Sequence, residues 1–318
     1  MKTNKKTTIF TFNRVLLIIL ILLFSGIALV NSNILKPDYL FGVMLRNIVE
    51  IGMLSLTMTL IITTGGIDLS VGSTLVLSSM VGGLIYQATS NNFLAVLGCL
   101  LTGALCGLIN AIIITKFHVS PLITTLATMY LFMGIARGIS KGDSIYSYPI
   151  TQALGKTSVG FIPLQVLIFF LLAFVFYLIQ ERTLYGRYLS AMGLNINATK
   201  YSGVNTDKML ISIYMLSGIV AAFASLVWLG RFTSIKYDAG GILNMNAITV
   251  VVLGGTSILG GVGHMSGTII AALIISVLNS GLTLLNIPID TQTIVQGSIL
   301  IIGLIIYSIV DNRVIIKK

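Results

Sequence analysis

Val15–Val30, VLLIILILLFSGIALV, runs sixteen residues without a charge. Nearly all of them are apolar, and a bilayer core is crossed by about 20 such residues wound as a helix, which satisfies every backbone group internally. The preceding MKTNKKTT gives the segment the look of a secretory signal. The run is long for a cleaved segment, however, and no small-x-small cleavage site follows, so it reads as an uncleaved first span with its N-terminus inside. Further apolar runs lie near 41–64, 71–89, 94–115, 121–140, 163–180, 209–230, 243–261, 266–286 and 292–311. They lack the strict alternation of barrel strands. The expected fold is all-α, a polytopic transmembrane bundle of about ten spans forming a single permease-type domain over residues 1–318.

Composition agrees. Of 318 residues 56% are hydrophobic and 9% charged, where soluble domains carry about 25% charged residues. The net charge of +10 does not imply a nucleic-acid partner, because the basic residues sit in short loops beside apolar runs, where they set orientation. With the N-terminus inside, twelve basic residues between Lys2 and Lys318 face inward, against Lys36, Lys141, Lys156, Arg231 and Lys236 outside. Arg46 and Arg137 fall near outer span ends and can snorkel. The bias predicts N-in, C-in topology in a cell inner membrane. Cys99 and Cys106 are the only cysteines, about 10 Å apart on one helix, too far for a disulfide. His118 and His264 have no ligand partners at metal spacing, so no metal or other cofactor is expected. No catalytic constellation stands out, which speaks against an enzyme.

Two glycine-rich interruptions draw attention. In Thr63–Ser73, TTGGIDLSVGS, Asp68 falls near membrane depth, where an ionisable group is costly and points to function. Gly65 and Gly66 permit a break, and Ser70 and Ser73 can satisfy the backbone groups it frees. Asp68 can equally cap the following helix, and both roles stand open. Val250–Gly267, VVVLGGTSILGGVGHMSG, holds six glycines between Gly254 and Gly267. Gly255 and Gly260 have phosphate-loop spacing, but Gly261 and Val262 replace the Lys and Ser/Thr, so ATP binding is excluded. Gly263–Gly267 and Gly103–Gly107 are GxxxG pairs suited to close packing. Glu50 stands four residues after Arg46, where an (i, i+4) ion pair is expected. Asn246, Thr249, Asn279, Ser280 and Gln296 can line a path for a hydroxylated solute or bond helix to helix. The longest polar inner stretch, 181–208, is too short for a domain and too polar to span; it reads as a connector or as a docking element for a soluble partner.

GGIDLSVGS at 65–73, VVLGGTSILGGVGHMSG at 251–267 and YGRYLSAMGLNINATKYSGVN at 185–205 together resemble the ribose-type permease family of binding-protein-dependent ABC importers. The likeness runs from about Leu40 to the C-terminus. It implies two permease subunits with a pathway between them, separate ATPase subunits that dock on the inner loops, and an extracytoplasmic solute-binding protein. On that resemblance Gly186, Arg187, Ala191, Gly193, Asn195, Ala198 and Gly203 couple to the ATPase. Gly65, Gly66, Asp68, Ser70, Ser73, Asn246, Gly254, Gly255 and Asn279 belong to the pathway or its gate. Many members carry Glu-Leu-Asp-Ala-Ile where this chain has Asn244-Met245-Asn246-Ala247-Ile248. Together with Gly103–Ala111 and Ser120–Phe132, this is similar to permeases for autoinducer-2 or rhamnose, and it implies a heterodimer, with a homodimer as the alternative. The solute expected is a monosaccharide or sugar-like molecule. The rival reading is a secondary transporter driven by an ion gradient.

Overall fold

The computed structural model describes residues 3–288, 290–299 and 301. It is an all-α polytopic bundle. Among the described residues, eight helices are long and apolar enough to cross a membrane. These are α1 (Thr3–Val30, apolar from Phe12), α2 (Pro37–Thr63), α3 (Val71–Thr89), α4 (Asn92–Lys116) and α5 (Pro121–Ser140). After the short α6 (Pro149–Lys156) come α7 (Leu164–Arg182), the small α8 (Leu184–Leu194) and α9 (Ile196–Tyr201), then α10 (Thr206–Phe232). The 13-residue α11 (Gly241–Leu253) and α12 (Met265–Leu284) follow.

The centre is built by α2, α3 and α10. In α2, 78% of the apolar window is buried, against 6% in α1, which packs on α12 at the periphery. Helix α2 begins with a π-turn at Leu40–Met44 and a 3-10 turn at Leu45–Ile48 before settling into regular α geometry. Helices α4 and α10 meet backbone to backbone. A Cβ on Gly103 would lie 2.2 Å from the Gly218 carbonyl, and one on Gly107 would lie 2.1 Å from that of Tyr214. The first GxxxG pair is thus a packing device, as small residues in membranes commonly are. Two ribbons, Ile145–Tyr146 with Ser234–Ile235 and Ser158–Val159 with Ile162–Pro163, tie loops at the ends of the helices.

Three expectations change. The run 243–261 is not a single spanning helix: α11 is about 20 Å long and gives way at Gly254 to a glycine loop. The run 292–311 lies largely outside the described residues; 290–299 are helical. Glu50 pairs with Arg231, at 2.9 Å, and not with Arg46. Arg231 also donates to the Arg46 carbonyl at 2.8 Å and to Asn47, while the Arg46 guanidinium turns to the Gly155 carbonyl at 3.2 Å. A buried carboxylate is best served by a donor from the helix packed against it, and α10 supplies one where α2 alone cannot. Cys99 and Cys106 are free buried thiols.

Candidate functional site: a glycine junction beneath a broken helix pair

Helices α2 and α3 follow one another in the chain, and between them 64–70 form a non-helical break. The turn at Gly65 has φ +83°, a left-handed conformation open to glycine at no steric cost. The second break, after α11, turns at Gly260 and Gly261 with φ +83° and +79°. The two breaks touch. The Gly261 N–H donates to the Thr63 carbonyl at 2.9 Å, and a Cβ on Gly260 would lie 2.8 Å from the Gly65 nitrogen.

The third partner is the polar stretch 181–208. A Cβ on Gly193, near the end of α8, would lie 2.0 Å from the Thr63 carbonyl oxygen and 2.2 Å from the Gly261 nitrogen. Three segments far apart in sequence therefore meet through bare backbone. Gly263 belongs to the same knot: its Cβ would lie 1.9 Å from the Thr63 hydroxyl. Gly267 holds the start of α12 against the Gly254 carbonyl, 2.0 Å from where its Cβ would be.

Above the junction lies a buried polar network. Asp68 is 3% exposed, and its Oδ1 accepts the Ser70 N–H at 2.9 Å and the Ser70 hydroxyl at 2.6 Å. Its other oxygen accepts from Ser217 at 3.3 Å. The Asn110 amide donates to the Ser70 oxygen at 2.8 Å, and the Thr128 hydroxyl donates to the Asn110 carbonyl oxygen at 2.7 Å. Ser217 stands near the middle of the 27-residue α10, which places Asp68 beside the middle of that helix. The carboxylate thus holds the turn that launches α3 and binds that turn to α4, α5 and α10.

The N-terminal turns of α3 and α11 also meet. A Cβ on Gly72 would lie 2.2 Å from the Gly240 carbonyl, so the first turns of α3 and α11 cross in contact. Asn244 Oδ1 accepts the Gly72 N–H at 2.6 Å, one of the donors a helix N-terminus leaves unpaired. Its Nδ2 faces the Met129 sulfur at 3.5 Å. The neutral residue that departs from the common family pattern is therefore the acceptor joining the two broken helices.

The inner stretch folds as two capped helices. The Thr183 hydroxyl accepts from the Gly186 N–H, and Asn195 Oδ1 accepts the Ala198 N–H at 2.9 Å, each an N-cap. Gly186 lets the chain turn back on α7, since a Cβ there would lie 2.1 Å from the Gln180 carbonyl. Gly203 takes φ +88°. Tyr185 is half-buried and donates or accepts at 2.5 Å with Ser212; burial pushes its phenol above the ordinary value. Tyr201 is 92% exposed and Leu194 72%, with Leu184, Ile196 and, on the neighbouring loop, Leu259 at 88%. Arg187 and Ala198 share this open surface, and Ala191 lies half-buried beneath it. These apolar side chains stand among polar neighbours on one open face of the protein.

Of the residues expected in the pathway, the structure brings Gly65, Gly66, Asp68 and Ser70 together, with Ser73 buried in the first turn of α3. Gly254 packs on α12, and Gly255 meets the ring of Phe12 from α1, 2.5 Å from its would-be Cβ. Asn279 stands apart: its Oδ1 accepts from Gln296 at 2.8 Å, helix to helix. Ser280 likewise bonds α2, through Asn47 at 2.8 Å, and Thr249 bonds back to its own helix. Asn246 is buried in α11. Asn110, Thr128, Tyr214, Ser217 and Arg231 carry weight that the sequence reading passed over. Each is a polar residue inside or at the edge of an apolar run, a signal that marks a candidate by itself.

Comparison with known proteins follows this layout. A family model described as branched-chain amino acid transport system / permease component matches residues 40–304. The autoinducer 2 import system permease protein LsrD of Enterobacter sp. (strain 638) is 36% identical over 309 residues, covering 95% of this chain and 92% of that one. The protein of the same name from Yersinia enterocolitica serotype O:8 is 37% identical over 276 residues, covering 84% and 83%. That from Klebsiella pneumoniae is 36% identical over 259 residues, covering 79% and 78%. No solved structure matches. Helix α1 precedes the stretch matched by the family model.

Proposed function

Because this chain belongs to the family of transport-system permease components, we propose that it is the membrane-spanning subunit of an ATP-driven importer for a sugar-like solute. The solute class is that of ribose, rhamnose or autoinducer 2, the last being what the similar LsrD proteins are named for. The chain is not itself an enzyme; hydrolysis belongs to ATPase subunits, and an extracytoplasmic binding protein delivers the solute.

The observation that carries this reading is the meeting of Gly193, Thr63–Gly65 and Gly260–Gly261 at one backbone junction. A push on the exposed face of 181–208 reaches both breaks with no side chain in between to absorb it. Gly186, Arg187, Ala191, Gly193, Asn195, Ala198 and Gly203 form or position that face. Gly65, Gly66, Asp68, Ser70, Ser73, Gly254 and Gly255 form the breaks and the turns around them, and Asn246 and Asn279 stand on the helices that follow. The bundle sits N-in and C-in, with about ten crossings when α11 is counted together with its glycine loop and the C-terminal run is included. Asn244 and Asn246 replace carboxylates common in the family, which favours pairing with a second, non-identical permease.

Purification of the tagged chain from its native membrane tests this. Recovery of an ATPase and a second permease is the expected result. Recovery of the chain alone, with uptake that survives ATP depletion and collapses with the ion gradient, overturns it.

A further inference from the structure

A cavity of about 490 Å³ opens on the inner side of the bundle, beside the glycine junction. That size falls within the roughly 300–1,000 Å³ of small-molecule sites. Its roof is the Gly65–Gly66 turn and its floor the link between α8 and α9. The α4–α5 turn and the first turn of α10 form its walls.

Leu210 lines the cavity, and Tyr214 lies one turn further along the same face of α10. The Tyr214 hydroxyl is 2.8 Å from the place a Cβ on Gly66 would occupy. It is fully buried and has no hydrogen-bond partner among the described residues. A buried polar group left unpaired costs about 1–3 kcal/mol. A glycine backbone without a side chain is what stands between this phenol and the cavity.

The polar lining identifies the ligand chemistry. Thr64, Thr115, Ser120 and Asn195 offer hydroxyls and an amide, His118 an imidazole and Asp207 a carboxylate. No Lys or Arg is among the lining residues, whereas phosphate sites are built from such cations. Mixed donors and acceptors with no cationic excess suit a neutral, hydroxyl-rich molecule.

We propose that this cavity is a binding site for a small neutral polyol arriving from the cytoplasm. A molecule seated there touches the docking link below and the Gly65–Gly66 turn above. It favours whichever arrangement of the two it fits and biases the permease toward that state. On the importer reading, which this consequence rests on, accumulated solute slows its own uptake; binding itself does not depend on that reading.

The test is hydrogen exchange on the full-length chain in lipid nanodiscs, with D-ribose and separately L-rhamnose added at millimolar concentration. Slower exchange in all three segments 64–66, 115–121 and 192–196 with at least one sugar is the expected result. Ser120→Trp, which fills the cavity, and Asp207→Asn, which removes an acceptor charge, abolish that protection while the melting temperature holds. If Ser120→Trp fails to fold, Asp207→Asn alone decides. Absence of protection with both sugars, or protection that persists in a folded variant, overturns the proposal. No ATPase or uptake enters this readout, so failure of the importer reading would leave it standing and be seen separately.

Discussion

Replacing Gly193 by alanine puts one methyl group into the junction. Its carbon would lie 2.0 Å from the Thr63 oxygen and 2.2 Å from the Gly261 nitrogen. Both neighbours are backbone, so neither can rotate away; one segment must withdraw by about 1 Å or more to reach even a tight van der Waals contact. Overpacking of this kind costs typically 1–3 kcal/mol. Losing the Gly261-to-Thr63 hydrogen bond adds about 0.5–1.5 kcal/mol. The better helix propensity of alanine returns about 1 kcal/mol. The net is roughly 1–3 kcal/mol, a factor of about 5 to 150 in an equilibrium constant. Because the strain falls at the contact between docking element and breaks, it is expected to shift the balance of access states more than global stability. The assay is ATP hydrolysis and solute uptake in the same proteoliposomes, with Gly134→Ala, which meets nothing within 4 Å, as the matched control. Gly193→Ala should lower uptake per ATP hydrolysed at least several-fold, and Gly193→Leu more. Unchanged coupling and an unchanged melting temperature in Gly193→Ala would refute the transmission of force through this junction.

Three further outcomes follow from the same geometry. Arg231→Met leaves the buried Glu50 carboxylate without its charge partner and should cost about 3–5 kcal/mol, whereas adding Glu50→Met restores much of the loss; thermal unfolding in detergent reads both. Asp68→Asn keeps an oxygen for Ser70 and should insert and melt like the parent, while Asp68→Leu strands the Ser70 and Ser217 donors at about 1–3 kcal/mol each. A normal melt with lost uptake in Asp68→Asn would assign the charge to transport rather than to the turn. Asn244→Leu bares the Gly72 N–H and should destabilise by about 1–3 kcal/mol, with Asn244→Asp close to neutral by the same measurement.

The spans were legible because lipid imposes a length and a composition on any helix that crosses it, and eight of the ten apolar runs are helices that meet both. Of the other two, the run 243–261 is instructive. Gly241–Leu253 is as apolar as a span, and only its short length and the following glycine loop keep it from being a single spanning helix; hydropathy averaged over 243–261 hides that. The breaks at Gly65 and Gly254–Gly261 were visible as glycine clusters, since a left-handed backbone turn demands that residue type. Their contact with each other was not, because it is made by backbone carbonyls and amides that no sequence displays. Gly193 illustrates the same limit: the resemblance pointed to it as a coupling position, and its close packing on Thr63 and Gly261 from inside a helix needed the structure. Glu50 was assigned its sequence neighbour, Arg46, because local spacing is all a sequence offers for pairing. The partner 181 positions away, Arg231, becomes visible only when α10 is laid against α2. Asn244 was noticed as a departure from family pattern, but its role as acceptor for Gly72 needed the two half-helices in place.

Docking of an ATPase on the inner face is best tested at Tyr201, 92% exposed and clear of the junction. The two native cysteines are buried, so Tyr201→Cys can carry a photo-crosslinker in the otherwise unaltered chain within its native membrane. The prediction is a single dominant adduct with a nucleotide-binding subunit, strengthened or weakened by ATP. Adducts with lipid alone, in membranes where that subunit is present, would contradict it.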